Sequence, residues 1–208
     1  REAETTGRPN AVIGGLDTHS SLADIQDQLD QQSTAKHFRG VRPSPGLDHD
    51  SPLGRFVLAA LQDRGLVYEL VVHPDDMVSV ARILESFGTL TVVVEHTGWP
   101  LSEDPDHFRV WREGMQHLGR IGDTVHCKLS GLAMTLNRFD TSAFRPWIEH
   151  CLDTFGASRC FFASNFPVDG LYGSFDALYE VYDQVTAELS RAARDQLFAS
   201  NCERLYAC

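Results

Sequence analysis

The 208-residue chain lacks the features that mark several classes of protein. It has no apolar run of the roughly 18 residues that a membrane span needs. It also has no block of Lys or Arg that would indicate a nucleic-acid or basic membrane-binding surface. Its 18 basic and 29 acidic residues give a formal net charge of −11. This balance predicts an enzyme that acts on small molecules, without nucleic-acid or membrane partners and by default in the cytoplasm.

Cysteine and glycine motifs are missing as well. The five cysteines include no C-x-x-C pair, which argues against a disulfide framework or a zinc knuckle and predicts buried free thiols. No G-x-G-x-x-G is present, so a dinucleotide site has no support. Residues 1–7 are polar rather than signal-like and do not begin with Met, and from them we expect a trimmed or partial sequence.

Six short runs of β-branched, aromatic or other apolar residues are predicted as strands. These runs are residues 11–13, 38–41, 66–72, 90–94, 125–129 and 160–163. Stretches with apolar residues at helical spacing lie between the runs and follow the last one. The alternation predicts one α/β domain over residues 1–208, with a parallel sheet covered by helices. Alternation alone fits either a doubly wound sheet or a (β/α)8 barrel.

Histidines end two consecutive predicted strands, at the place where both folds gather their chemistry. His96 follows the run Val92 to Val94, and His73 ends the preceding strand just before Pro74. An imidazole at such a place can bind a metal ion or transfer a proton near neutral pH. For either histidine the alternative is a structural role, in which the side chain only closes its strand.

The last predicted strand is followed by a side-chain amide and, further along the chain, by a carboxylate. Asn165 can orient a substrate by hydrogen bonds, but an amide cannot act as a general base. Asp169 lies four residues further on and is the candidate for that base. An Asp at such a position is more often a turn former, so both interpretations stay open.

Two cations complete the ring of strand ends. Arg42 and Lys128 are candidates for binding an anionic group of a small substrate, Arg42 as a forked donor and Lys128 as a point charge. Either could instead pair with a buried acid such as Glu69 or Glu95. Solvated side chains are expected for the remaining histidines, which fall in predicted loops or on predicted helix surfaces: His19, His37, His49, His107, His117, His126 and His150.

At these residues the chain resembles the amidohydrolase-related family of barrel hydrolases, which includes sugar-acid lactonases, pyrone-dicarboxylate lactonase and non-oxidative decarboxylases. Six segments carry the resemblance by their order and spacing: Phe38 to Arg42, Val71 to Pro74, Val92 to Pro100, Lys128 to Leu132, Ala163 to Val168, and Asn201 to Tyr206. The resemblance implies a (β/α)8 barrel of which the predicted strands match strands three to eight. About the first two βα units are then expected to be missing from this sequence.

The resemblance also implies roles for single residues. His73 matches a fifth-strand histidine that binds a divalent metal ion, zinc or manganese, in members that use one. His96 matches a sixth-strand histidine that polarises or protonates the substrate, and Asn165 stands where the family usually has an Asp. That change, and the absence of a His-x-His pair from the chain, leave metal dependence open.

These observations predict a hydrolase that acts on a lactone or related cyclic ester of a small acidic or sugar-derived substrate. Two alternatives remain, a metal-dependent decarboxylase or C–C hydrolase on the same barrel and a catalytically degenerate barrel that only binds a ligand. If the first two strands are missing, both edges of the sheet are expected to be open. The chain alone would then aggregate or form homo-oligomers and show no hydrolase activity.

Overall fold

The computed structural model describes residues 5–44 and 46–207. Within this part of the chain one parallel sheet contains six strands. They are β1 (Val12–Asp17), β2 (Phe38–Ser44), β3 (Val67–Leu70), β4 (Val92–Val94), β5 (Val125–Leu129) and β6 (Cys160–Phe162). All six predicted strands are therefore confirmed, although their ends differ from the prediction by up to four residues.

Strand order decides between the two folds that alternation left open. A doubly wound sheet reverses its order at a switch point, whereas a barrel adds each strand beside the one before it. Here the order runs from β1 to β6 without a reversal, and every neighbouring pair is parallel. The sheet is therefore of the barrel kind, which confirms the predicted fold class.

Helices lie between the strands and after the last one. Their bounds are α1 (Leu22–Ser33), α2 (Pro52–Asp63), α3 (Met77–Leu84), α4 (Pro105–Arg120), α5 (Ala133–Leu136), α6 (Thr141–Phe155), α7 (Phe175–Val185), α8 (Arg191–Asp195) and α9 (Asn201–Tyr206), with a π-helical segment at Gln196–Ser200. Most of the longer helices begin with a Ser or Asp side chain that accepts a backbone N–H, which fixes where they start. No helix in the described part of the chain is long and apolar enough to cross a membrane.

The two faces of the sheet bury different side chains, because successive residues of a strand point to opposite faces. The outer face packs on the helices in the main hydrophobic core, which also holds the predicted buried thiols Cys127, Cys151 and Cys160. The inner face carries a smaller apolar cluster, formed by Val67, Val93, Phe161 and Tyr206. Charged residues follow this cluster on the same inward-facing positions of β3, β4 and β5. The sheet thus points these charged side chains inward.

Two of the seven histidines that were expected in solvent are buried and four more are half-buried, so that expectation is wrong for all but His19. His49 and His150 are buried, and His126 lies on β5, half-buried on the inner face. The reason at His49 is a hydrogen bond, since its Nε2 lies 2.7 Å from the hydroxyl of the buried Tyr68. Burial lowers the pKa of His49 to about 4, so this imidazole is neutral at neutral pH.

Two inner-face glycines give a matched test of this packing. A Cβ at Gly40 would lie 2.1 Å from the backbone oxygen of Val67, whereas a Cβ at Gly15 would meet nothing within 4 Å. We expect Gly40→Ala to lower the free energy of unfolding by about 1–3 kcal/mol, because β2 and β3 must move apart. Gly15→Ala should leave it unchanged or slightly raised. Urea unfolding of both variants checks this, and equal stabilities would contradict the close approach of β2 to β3.

Candidate active site

Three charged side chains meet on the inner face of the sheet. Glu69 comes from β3, Glu95 directly follows β4, and Lys128 comes from β5. Lys128 Nζ donates to Glu69 Oε2 at 2.7 Å and to Glu95 Oε1 at 3.0 Å. The exposed fraction of the side chain is 16% for Lys128, 0% for Glu69 and 5% for Glu95. Lys128 therefore has the acidic partners that were one of its two predicted alternatives.

Burial and mutual attraction set the charges of these three groups. Burial opposes the charge of Lys128, but the two carboxylates outweigh it, so the pKa of Lys128 is raised. Burial raises the pKa of Glu69 to about 7. It acts in the same direction on Glu95, but Glu69 and then Lys128 outweigh it and lower the pKa of Glu95 to about 2. At neutral pH Glu95 is a carboxylate, whereas Glu69 is near the midpoint of its titration.

His96 begins the turn after β4, and both of its ring nitrogens face polar groups. Nδ1 lies 3.0 Å from Ser130 Oγ, and Nε2 lies 3.5 Å from Glu95 Oε2. Burial lowers the pKa of His96, although the Glu95 charge opposes this shift. Within the described residues the only fully buried side-chain N or O atom without a hydrogen-bond partner is an oxygen of Asp169. Nε2 is therefore the ring nitrogen of His96 that faces the Glu95 carboxylate.

The backbone around His96 is held in a strained conformation. His96, Thr97 and Trp99 have φ angles of 50°, 55° and 47°, a region that costs about 1–2 kcal/mol per residue when the residue is not glycine. The Thr97 hydroxyl donates to Ser130 O at 2.9 Å and accepts from Ser130 N at 3.1 Å. Trp111 Nε1 donates to Thr97 O at 2.8 Å. These bonds hold the turn, and with it the imidazole, against β5 and α4.

The loops after β5 and β6 meet beside His96. A Cβ at Gly131 would lie 2.9 Å from His96 Cβ, so glycine is needed for the imidazole to pack there. Asn165 Nδ2 donates to Asp169 Oδ1 at 2.9 Å, and the backbone N–H of Gly131 also bonds to this carboxylate. Asp169 is fully buried, and burial raises its pKa. The structure thus brings the predicted residues His96, Asn165 and Asp169 together around Gly131.

His73 lies at the rim and is exposed. Its ring packs edge-on against Trp99 with the centroids 5.9 Å apart, and His96 meets the same indole at 5.0 Å. Across residues 5–44 and 46–207, no group of three or more His, Cys, Asp or Glu side chains could hold a metal ion. Catalytic zinc sites usually have about three protein ligands. The described residues therefore do not fit a metal site at His73.

A cavity of about 460 Å³ opens against the inner face and is lined by Lys128 and Tyr206 among others. Arg42 is exposed at the end of β2, near enough for its charge to lower the pKa of His96. A larger cavity of about 860 Å³ is lined by His73, the loop after β2 and α3, but by none of the buried inner-face charges. Of the three charged inner-face groups, Lys128 therefore lines the smaller cavity.

This arrangement of strand-end side chains agrees with what a comparison of sequences finds. A family model described as amidohydrolase matches residues 3–208. The chain belongs to the amidohydrolase family. The predicted family is thereby confirmed, and its members include hydrolytic enzymes.

Particular amidohydrolase relatives resemble the chain over most of its length. It is 31% identical over 217 residues to y4mH, an uncharacterized protein of Sinorhizobium fredii, covering 98% of this chain and 72% of that protein. It is 27% identical over 179 residues to an L-fucono-1,5-lactonase of Burkholderia ambifaria, covering 83% of this chain and 60% of the lactonase. A crystal structure of a Burkholderia multivorans amidohydrolase with bound zinc has a TM-score of 0.85 at 25% identity, covering 99% of this chain and 76% of that one.

Sequence reasoning missed three residues of this amidohydrolase site. Ser130 orients His96 and is itself fully buried, so its hydroxyl cannot reach a substrate. Trp99 separates the two strand-end histidines, and Tyr206 donates a hydrogen bond to Glu69. All three stand within segments that carry the family resemblance, which was the available signal. Their partners, however, lie far away along the chain.

The reciprocal bond between Thr97 and Ser130 gives a test of how the turn is held. We expect Thr97→Val to lower the free energy of unfolding by about 1–3 kcal/mol, because it leaves the buried N–H and C=O of Ser130 without a partner. Thr91→Val, in the half-buried position before β4, is the control and should change it by less than about 0.5 kcal/mol. Denaturant unfolding measures both variants, and equal effects would show that the turn does not depend on this bond.

Proposed function

We propose that the protein hydrolyses lactones of sugar acids or of similarly small acidic compounds. The observation that carries this proposal is the neutral imidazole of His96, with one nitrogen bonded to Ser130 and the other beside the buried carboxylate of Glu95. Family membership and the likeness to an L-fucono-1,5-lactonase support the same reaction class. L-fucono-1,5-lactone is accordingly the first substrate to test.

In the proposed mechanism His96 is the general base. Nδ1–H donates to Ser130 Oγ, and Nε2 takes a proton from the water whose oxygen attacks the lactone carbonyl carbon. Glu95 Oε2, 3.5 Å from Nε2, stabilises the imidazolium that forms. When the ring C–O bond breaks, the imidazolium returns the proton to the leaving alkoxide. One water and one lactone thus give one hydroxy acid, and His96 ends neutral.

The other predicted site residues take supporting roles. Of the two cations, Arg42 is exposed while Lys128 is held between two carboxylates, so we assign to Arg42 the anionic group of the substrate and the developing oxyanion. Asn165 is half-buried, and its amide can donate to a substrate oxygen. Asp169 is fully buried and bonds to Asn165, which favours a role in orienting that amide.

The base assignment predicts how activity depends on His96 and on pH. We expect the purified protein to hydrolyse L-fucono-1,5-lactone or a related sugar-acid lactone, and His96→Asn to lower kcat/KM by about 100-fold or more. Because burial lowers the pKa of His96, the acid limb of the kcat/KM profile should lie below the ordinary value of about 6.5. Stopped assays or pH-indicator assays over a range of pH measure both.

His73→Asn is the matched control, because His73 also ends a strand and packs on Trp99 but is exposed. It should keep most of the activity. Equal losses in both histidine variants, or a larger loss in Asp169→Asn, would move the base role away from His96. No turnover of any lactone, with release of CO2 from carboxylated ring compounds instead, would favour the decarboxylase alternative.

Arg42 has its own prediction. Arg42→Ala should raise KM for an acidic lactone by about 10-fold or more while changing KM for a neutral lactone far less, because only the acidic substrate loses an ionic contact. Arg55→Ala removes an exposed arginine that already pairs with Asp50 and is the control. The same change in KM for acidic and neutral lactones would show that Arg42 does not bind the anionic group.

A further inference from the structure

Tyr206, at the end of α9, reaches the buried carboxylates from the amino-terminal side of the sheet. Its hydroxyl donates to Glu69 Oε1, while Lys128 Nζ donates to the other oxygen of the same carboxylate at 2.7 Å. The Tyr206 ring packs edge-on against Phe161 with centroids 5.9 Å apart, and Lys128 Nζ lies 5.8 Å from the ring centre. Burial raises the pKa of Tyr206, so its hydroxyl keeps the proton that it donates.

Several hydrogen bonds fix the place of this tyrosine. Asn201 Nδ2 donates to the backbone oxygens of Ala157 and Cys160, both at 2.7 Å, and so ties the start of α9 to the start of β6. Arg39 Nε, from β2, donates to Tyr206 O at 2.7 Å. Helix α9 is therefore held at both ends, and Tyr206 is only 6% exposed. A residue that merely filled space would not need its hydroxyl on a carboxylate.

We propose that Tyr206 is a positioning residue of the site, whose hydroxyl favours the carboxylate form of Glu69 that binds Lys128 and thereby sets the charge near His96. A carboxylate is stabilised in its charged form by each hydrogen bond that it accepts. Without the Tyr206 hydroxyl, the buried Glu69 keeps one strong donor, Lys128, and a larger fraction of it is protonated at neutral pH. The inference concerns the site of the proposed function and rests on that function only for its activity readout.

The sign of the effect follows from the groups that face His96. They are Glu95 on its own segment, Lys128 from β5 and Arg42 from β2, and Asp169 approaches through Gly131. With Glu69 ionised, the two glutamates and the lysine sum to one negative charge, and with Glu69 protonated they sum to zero. Losing the Tyr206 hydroxyl therefore removes negative charge near His96, which lowers the pKa of His96 further.

The test is an NMR titration of the His96 ring in Tyr206→Phe, with the His96 signal assigned by its loss in His96→Asn. We expect the pKa of His96 to fall by up to about one unit, the scale of losing part of a unit charge near a partly buried group at an effective dielectric constant of about 20. No substrate is needed, so the result is independent of whether the lactonase proposal holds. In an active protein the acid limb of kcat/KM should move to lower pH by the same amount.

Tyr68→Phe is the matched control, because it removes a buried tyrosine hydroxyl that bonds to His49 on the outer face of the same strand as Glu69. It should cost similar stability and leave the pKa of His96 unchanged. Glu69→Gln, which imitates the protonated acid, should reproduce the shift, and Tyr206→Phe should add nothing in that background. If Tyr206→Phe does not fold, Glu69→Gln carries the test alone. An unchanged His96 pKa in the folded variant, or an equal shift in Tyr68→Phe, overturns the proposal.

Discussion

Lys128 places an ammonium group inside the sheet, and this buried charge requires the groups around it. A buried ion pair that loses one partner costs about 3–5 kcal/mol, because the remaining charge is left without compensation. Glu69 and Glu95 are both within hydrogen-bond reach of Lys128, so β3, β4 and β5 are joined through one nitrogen atom. Since Glu95 directly precedes His96, the same pairing fixes the point at which the chain turns into the site. The position of the imidazole thus depends on a charge balance deeper in the sheet.

The strained backbone of the turn after β4 sets the position of His96. An extended or helical continuation from Glu95 would carry His96 along the sheet, whereas left-handed φ angles at His96, Thr97 and Trp99 fold the chain back at once. The strain is offset by the Thr97 bonds to Ser130 and by the Trp111 bond to the same segment. Strained backbone that is held by its surroundings in this way is a recurring property of functional sites.

The strands and the strand-end histidines could be predicted from the sequence, but the hydrogen bonds between distant side chains could not. Each strand could be predicted from a β-branched or aromatic run, and His73 and His96 from their places where strands end. The bonds of Glu69 to Lys128 and to Tyr206 join residues 59 and 137 positions apart, and they depend on strand register and on how α9 docks. The sequence also did not predict which polar loop residues are buried, as His49 shows. His73 and His96 carried the same sequence signal, yet one is exposed and the other buried.

Asn165 stands where the family usually has an Asp, and its hydrogen bond to Asp169 explains the amide at this position. Asp169 is fully buried, and one of its oxygens has no hydrogen-bond partner within the described residues, so its remaining bonds matter more. Asn165 supplies one of these bonds at 2.9 Å through an N–H donor that an ionised aspartate would lack. Two carboxylates at this distance could not both be charged and would have to share a proton. The asparagine and the buried aspartate therefore form a matched donor and acceptor.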